Sequence, residues 1–114
     1  MDIPRTANLA SGMVRKALQA FIEGDADMAE TVLKMDDNVD KLNASAHSTL
    51  LALMKKEPAV APQALNALMI SRALERVADH ATNIAEDVIF WVRGADVRHH
   101  AGATASGNSS GGKS

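Results

Sequence analysis

Between residues 28 and 53 the apolar side chains Met28, Val32, Met35, Val39, Leu42, Ala46, Leu50 and Leu53 follow one another at spacings of four and three. A strand alternates its faces every two residues, so this near-heptad period excludes one. It commits the stretch to a long helix that packs on other helices at about 20°. A second stripe, Ile70, Leu74, Val77, Ala81, Ile84, Val88 and Val92, follows the same rule. The composition agrees: 46% of residues are hydrophobic but only 3% aromatic. Alanine, leucine and methionine pack helices, whereas a β-sandwich would draw on aromatic and β-branched residues.

Punctuation divides the 114 residues into three segments. Pro4 belongs to a short polar entry, Gly24 opens a turn, Pro58 and Pro62 bracket another, and Gly94 suits the residue just past a helix end. The expected helices are 7–23, 26–56 and 62–93. Asp25 is placed to cap the second, and Lys55 and Lys56 complement its C-terminal dipole. The expected fold is all-α, an antiparallel three-helix bundle over residues 1–100, with two matched long helices of roughly 45 Å each. The first helix is about half as long and is expected to be truncated, which leaves apolar surface along helices 2 and 3 bare and predicts a homo-oligomer. Residues 101–114, "AGATASGNSSGGKS", are Gly/Ser-rich and expected to be a disordered tail.

Other features exclude functions. A net charge of −2 gives no general nucleic-acid binder. The absence of cysteine removes disulfides, thiol catalysis and thiolate metal sites. No apolar run reaches the ~20 residues of a membrane span, so the chain is expected to be soluble and intracellular. No Gly-rich phosphate loop, nucleophile elbow or Ser/His/Asp arrangement is present, and nothing argues for an enzyme.

Charge placement is more informative. At about 100° per residue, Glu75, Asp79 and Glu86 fall within ~40° of one another on the third helix. Asp36, Asp40, Asn43 and His47 form a similar stripe, within ~60°, on the second. Each long helix thus repeats an acid-x-x-x-acid pair that costs a few tenths of a kcal/mol in repulsion unless something offsets it. One reading is a solvated face, with Arg72 paired to Glu75 and Arg76 to Asp79. The other is ligation of a metal ion, for which Asp36, Asp40, Glu75 and Asp79 supply the oxygens. Fe, Mn, Mg or Ca suits such a donor set, and Zn would be accepted. His47 lies on the stripe but is expected to be exposed. His80 lies off it, and His99 and His100 are expected in a loop. The Glu-x-x-His spacing of di-iron bundles is missing.

The stretch "RALERVADHATNIAEDVIFWVRGADVRH", residues 72–99, resembles the C-terminal signature of the PhoU family, regulators of bacterial phosphate uptake. Upstream, "ALQAFIEGDADMAETVLKMDDNVDKLN" resembles the preceding helix pair. The resemblance implies a single three-helix repeat of a family that usually carries two. Its metal-binding motifs would fall on Asp36, Asp40, Glu75 and Asp79, with Fe, Mn or Zn as the expected cofactor. It also implies a non-enzymatic cytoplasmic adaptor, peripheral to the membrane, between a phosphate ABC transporter and a membrane sensor kinase. The competing expectation is a self-associating helical interaction domain without metal.

Overall fold

The computed structural model describes the backbone of residues 3–104 and the side chains of residues 3–95. It contains α1 (Ile3–Glu23), α2 (Ala26–Lys56), a 3-10 turn at Pro58–Val60 and α3 (Ala61–Thr104). The all-α expectation holds. The bounds of α2 are those the sequence predicts. Asp25 caps its start, with Oδ1 accepting from the Met28 N–H at 3.0 Å. Gly24 makes the reversal between α1 and α2 at φ +65°, a conformation that carries little penalty only without a Cβ. Glu57 leaves the helical region at the other end and donates its N–H to the Leu53 carbonyl at 2.8 Å.

Two helices are longer than expected. α1 begins by Ile3, with Pro4 in its first turn, where the missing N–H is harmless. α3 does not stop at Gly94; it continues to Thr104, so His99 and His100 sit in a helix and the expected tail boundary at 101 lies inside it. Glycine lowers helix propensity by about 1 kcal/mol against Ala, too little to end a helix by itself. The rest of the expected tail, 105–114, lies outside the described residues. With 31 and 44 residues, α2 and α3 are therefore not matched. The long axis of the molecule measures 70 Å.

The three helices pack against one another along heptad seams. The buried positions are Thr6, Ala10, Met13, Ala17 and Ala20 on α1, and Ala29, Val32, Val39, Asn43, Ala46 and Leu50 on α2. On α3 they are Ala64, Ser71, Ala78, Ala81, Ala85 and Val88. Most are alanine, small side chains that occupy little volume at a helix–helix contact. This corrects the predicted stripe of α3. Ala81 and Val88 are buried, but Ile70 and Val77 are exposed. On α3 the buried positions are mostly small, and larger aliphatics such as Ile70 and Val77 lie at the rim. Leu53 is likewise exposed, because α1 does not reach the α2–α3 hairpin end. No helix among the described residues is long and apolar enough to cross a membrane.

Candidate metal centre

Residue numbers run in opposite directions across the α2–α3 contact, which fixes what lies opposite what. Ser71 donates its hydroxyl to Asn43 Oδ1 at 2.8 Å, with both side chains buried. Arg93 on α3 forms an ion pair with Glu30 on α2. Counting back from the Asn43–Ser71 contact sets Asp36 within one residue of the level of Asp79, and Asp40 within one residue of that of Glu75. Of these acids, Asp36 and Asp79 interact across the helix pair.

The electrostatics of Asp36 report this crowding. Its carboxyl is held above the ordinary carboxylate range, first by burial and then by the negative charges of Asp40, Asp79 and Asp37. Asp79 is the contributor from the other helix. Asp36 is half-buried because it lies close to the buried positions Ala29 and Val32 on the α2 wheel, whereas Asp40 and Asp79 are exposed and Glu75 half-buried. Asp36 Oδ1 is itself buried and has no hydrogen-bond partner. Its charge is thus neither solvated fully nor paired.

The pairings of a solvated face are absent. Arg93 pairs with Glu30, but neither Arg72–Glu75 nor Arg76–Asp79 forms an ion pair. Nor is there a finished cage. Among the described residues no three His, Asp or Glu side chains converge closely enough to hold a metal ion. What is present is an unengaged, partly desolvated oxygen on Asp36, with exposed carboxylates on Asp40 and Asp79 close enough to perturb it; oxygens of this kind are the ligands hard cations take. Glu75 is not among the groups that perturb Asp36.

Two residues behave differently from expectation. His47 is not exposed: it is half-buried, with Nε2 buried and without a partner. Asn43 is a seam residue whose Nδ2 is also buried and unpartnered. Both lie on the α2 stripe at i,i+4, but nothing in their sequence setting says that the stripe turns into the seam there. His80 is exposed, as expected.

Residues 3–88 match the model of the PhoU domain. The chain is 46% identical over 99 residues to the "Phosphate-specific transport system accessory protein PhoU homolog" of Pseudomonas aeruginosa, covering 87% of this chain and 41% of that protein. The protein of that name from Pseudomonas putida is 38% identical over 99 residues, covering 87% and 39%. "PhoU homolog 2" of Thermotoga maritima is 37% identical over 93 residues, covering 82% and 40%. This chain spans about two-fifths of the length of these relatives. It belongs to the PhoU family.

Proposed function

We propose, taking membership of the PhoU family as the premise, that this chain is a non-enzymatic accessory regulator of a phosphate-specific transport system. The observation that carries the reading is the match of residues 3–88, which takes in α1, α2 and most of α3. In this reading it is a cytoplasmic adaptor between a phosphate ABC transporter and a membrane sensor kinase. It touches the membrane only through those partners. Its relatives are named as accessory proteins of phosphate-specific transport.

Within that role Asp36, Asp40, Glu75 and Asp79 hold a metal ion, with Fe, Mn or Zn the candidates. The crowding of Asp36 by Asp40 and Asp79 supports this, because a cation would neutralise charges that no arginine pairs. A cation held there would supply positive charge to offset the crowded carboxylates of α2 and α3; no chemistry is asked of it. Leu51, Leu53, Leu65, Met69 and Ile70, exposed at the hairpin end that α1 does not cover, favour self-association.

Two measurements test the reading. Expressed in bacteria that lack their PhoU-type regulator, the chain should restore repression of a phosphate-starvation reporter; a reporter that stays derepressed at normal expression refutes the regulatory role. Elemental analysis of chain purified without chelators should find Fe, Mn or Zn, and a sharp drop in the Asp36→Asn variant. Metal-free protein that takes up none on dialysis refutes the cation site.

A further inference from the structure

The side of α3 turned away from the bundle carries a stripe of its own. At about 100° per residue, Met69, Arg72, Arg76, Asn83, Asp87 and Phe90 fall within ~60° of one another. They lie opposite the buried positions Ser71, Ala78 and Ala85, and all six are exposed. Met69 is 68% exposed and Phe90 73%. Among the described residues none of Arg72, Arg76 and Asp87 forms an ion pair. The outward side of α2 is different. Its stripe, Thr31, Lys34, Asn38, Lys41, Ser45 and Ser48, is exposed and holds no large apolar residue, as suits a face turned to water. Methionine, arginine and aromatic side chains are the types that interfaces collect.

The order of the α3 stripe selects what covers it. From the hairpin end it runs Met, Arg, Arg, then Asn, Asp, Phe: an apolar end, a positive half, an acidic half and a second apolar end. The six are placed symmetrically about the 79–80 peptide. Met69 and Phe90 are equally far from it, as are Arg72 and Asp87, and Arg76 and Asn83. A second α3 turned antiparallel about a two-fold axis at that point is therefore complementary along its whole length. It sets Met69 on the partner's Phe90, Arg72 on the partner's Asp87 and Arg76 on the partner's Asn83, and each contact occurs twice. Exposed Glu86 flanks Asp87 and strengthens the acidic half. A parallel pair would stack Arg72, Arg76 and Asp87 each on its own copy, which like-charge repulsion disfavours. An anionic bilayer or a uniformly basic partner would match only one half of the stripe.

We propose that this stripe is a homodimer interface, in which α3 packs antiparallel on α3 of a second copy about a two-fold axis between Asp79 and His80. The inference rests on the self-association proposed above and locates it along α3 rather than at the hairpin end. It requires neither the metal site nor the phosphate role.

Sedimentation equilibrium of the full chain tests it. A reversible monomer–dimer equilibrium is expected, weakened by salt because charge pairs contribute to it. Arg72→Glu with Arg76→Glu should weaken dimerisation at least tenfold, and so, separately, should Glu86→Lys with Asp87→Lys. Mixing the two variants should restore 1:1 association, because an acidic stripe then meets a basic one. A folding defect would not be rescued by mixing, and circular dichroism verifies that each variant folds. The chain has no cysteine, so introduced ones report neighbours. His80→Cys, beside the axis, should give a disulfide-linked dimer. Met69→Cys, roughly 30 Å from its copy at ~1.5 Å of rise per residue, should not. The proposal is overturned if either charge-reversed variant dimerises like the wild type, if mixing the two restores nothing, or if Met69→Cys cross-links as readily as His80→Cys. A chain that stays monomeric at high micromolar concentration overturns it together with self-association itself. A dimer dissolved by Leu51→Ser with Leu53→Ser, but not by the charge reversals, overturns it alone and leaves the hairpin-end surface standing.

Discussion

Replacing Asp36 by Asn should stabilise the metal-free bundle at neutral pH while weakening its response to added cation. The substitution keeps the side chain's size and removes one charge from the most crowded position in the groove. Asp36 is repelled by Asp40 one turn away and by Asp79 across the seam, and is partly desolvated. Like charges one helical turn apart cost a few tenths of a kcal/mol, and a facing acid adds a comparable amount. Solvent screening at the exposed partners limits the sum, so the expected gain is about 0.5–1 kcal/mol. For a domain of this size that is roughly 3–6 °C in Tm. Because the folded state raises the Asp36 pKa, it binds more protons than the unfolded chain does between the ordinary and the raised value. Wild-type stability is therefore lost from this group as pH rises through that window, and the penalty is complete above it. The advantage of Asp36→Asn should be full at pH 7, reduced by salt, and gone below the ordinary Asp pKa of about 3.9. Added cation reverses the order. At a free concentration a hundredfold above Kd it stabilises the wild type by about 2.7 kcal/mol, and a tenfold weaker Kd leaves about 1.4. Urea melts of both proteins, with chelator and with Mn or Zn, at pH 7 and below pH 4, measure every quantity. A variant less stable than wild type in chelator at pH 7 would refute the electrostatic reasoning. Equal gains from metal would refute the ligand assignment.

Asp79→Asn should show the same pattern, lowering metal content and the metal-dependent gain in Tm; unchanged metal content would remove Asp79 from the site. Ser71→Ala strands the buried Asn43 amide and should cost about 1–3 kcal/mol, whereas Asn43→Leu with Ser71→Ala should recover most of that, which a double-mutant cycle in urea would measure. Ala81→Leu, at a fully buried seam position, should lower stability by about 1–3 kcal/mol, as urea melts would measure, because the neighbouring helices must move apart. The two described glycines of the first hairpin should respond in opposite directions in thermal melts. Gly12→Ala places a Cβ at an ordinary 3.7 Å from Met35 Cε inside α1 and should stabilise by about 0.5–1 kcal/mol. Gly24→Ala meets no atom within 4 Å but must hold φ +65°, and should cost about 1 kcal/mol.

Much of this molecule is written locally. The four-and-three spacing determined α2 from Ala26 to Lys56, and Asp25 before it supplied the cap, because periodicity and capping depend only on neighbours along the chain. The same angular reasoning put Asp36 with Asp40 and Glu75 with Asp79 on single faces. It did not determine how deep each face would lie. A helical wheel gives the angle between two side chains, not which angle a neighbouring helix will occupy. That choice fell to tertiary packing: Ala64, Ala78, Ala81 and Ala85 are buried on α3 while Ile70 and Val77 lie at the rim, and Asn43 is buried on α2. The facing of Asp36 by Asp79 depends on the register of two segments more than forty residues apart. So does the stacking of Phe21 on Trp91. The stop expected at Gly94 failed for the converse reason. A glycine's local preference is weak, and α3 runs on through it to Thr104.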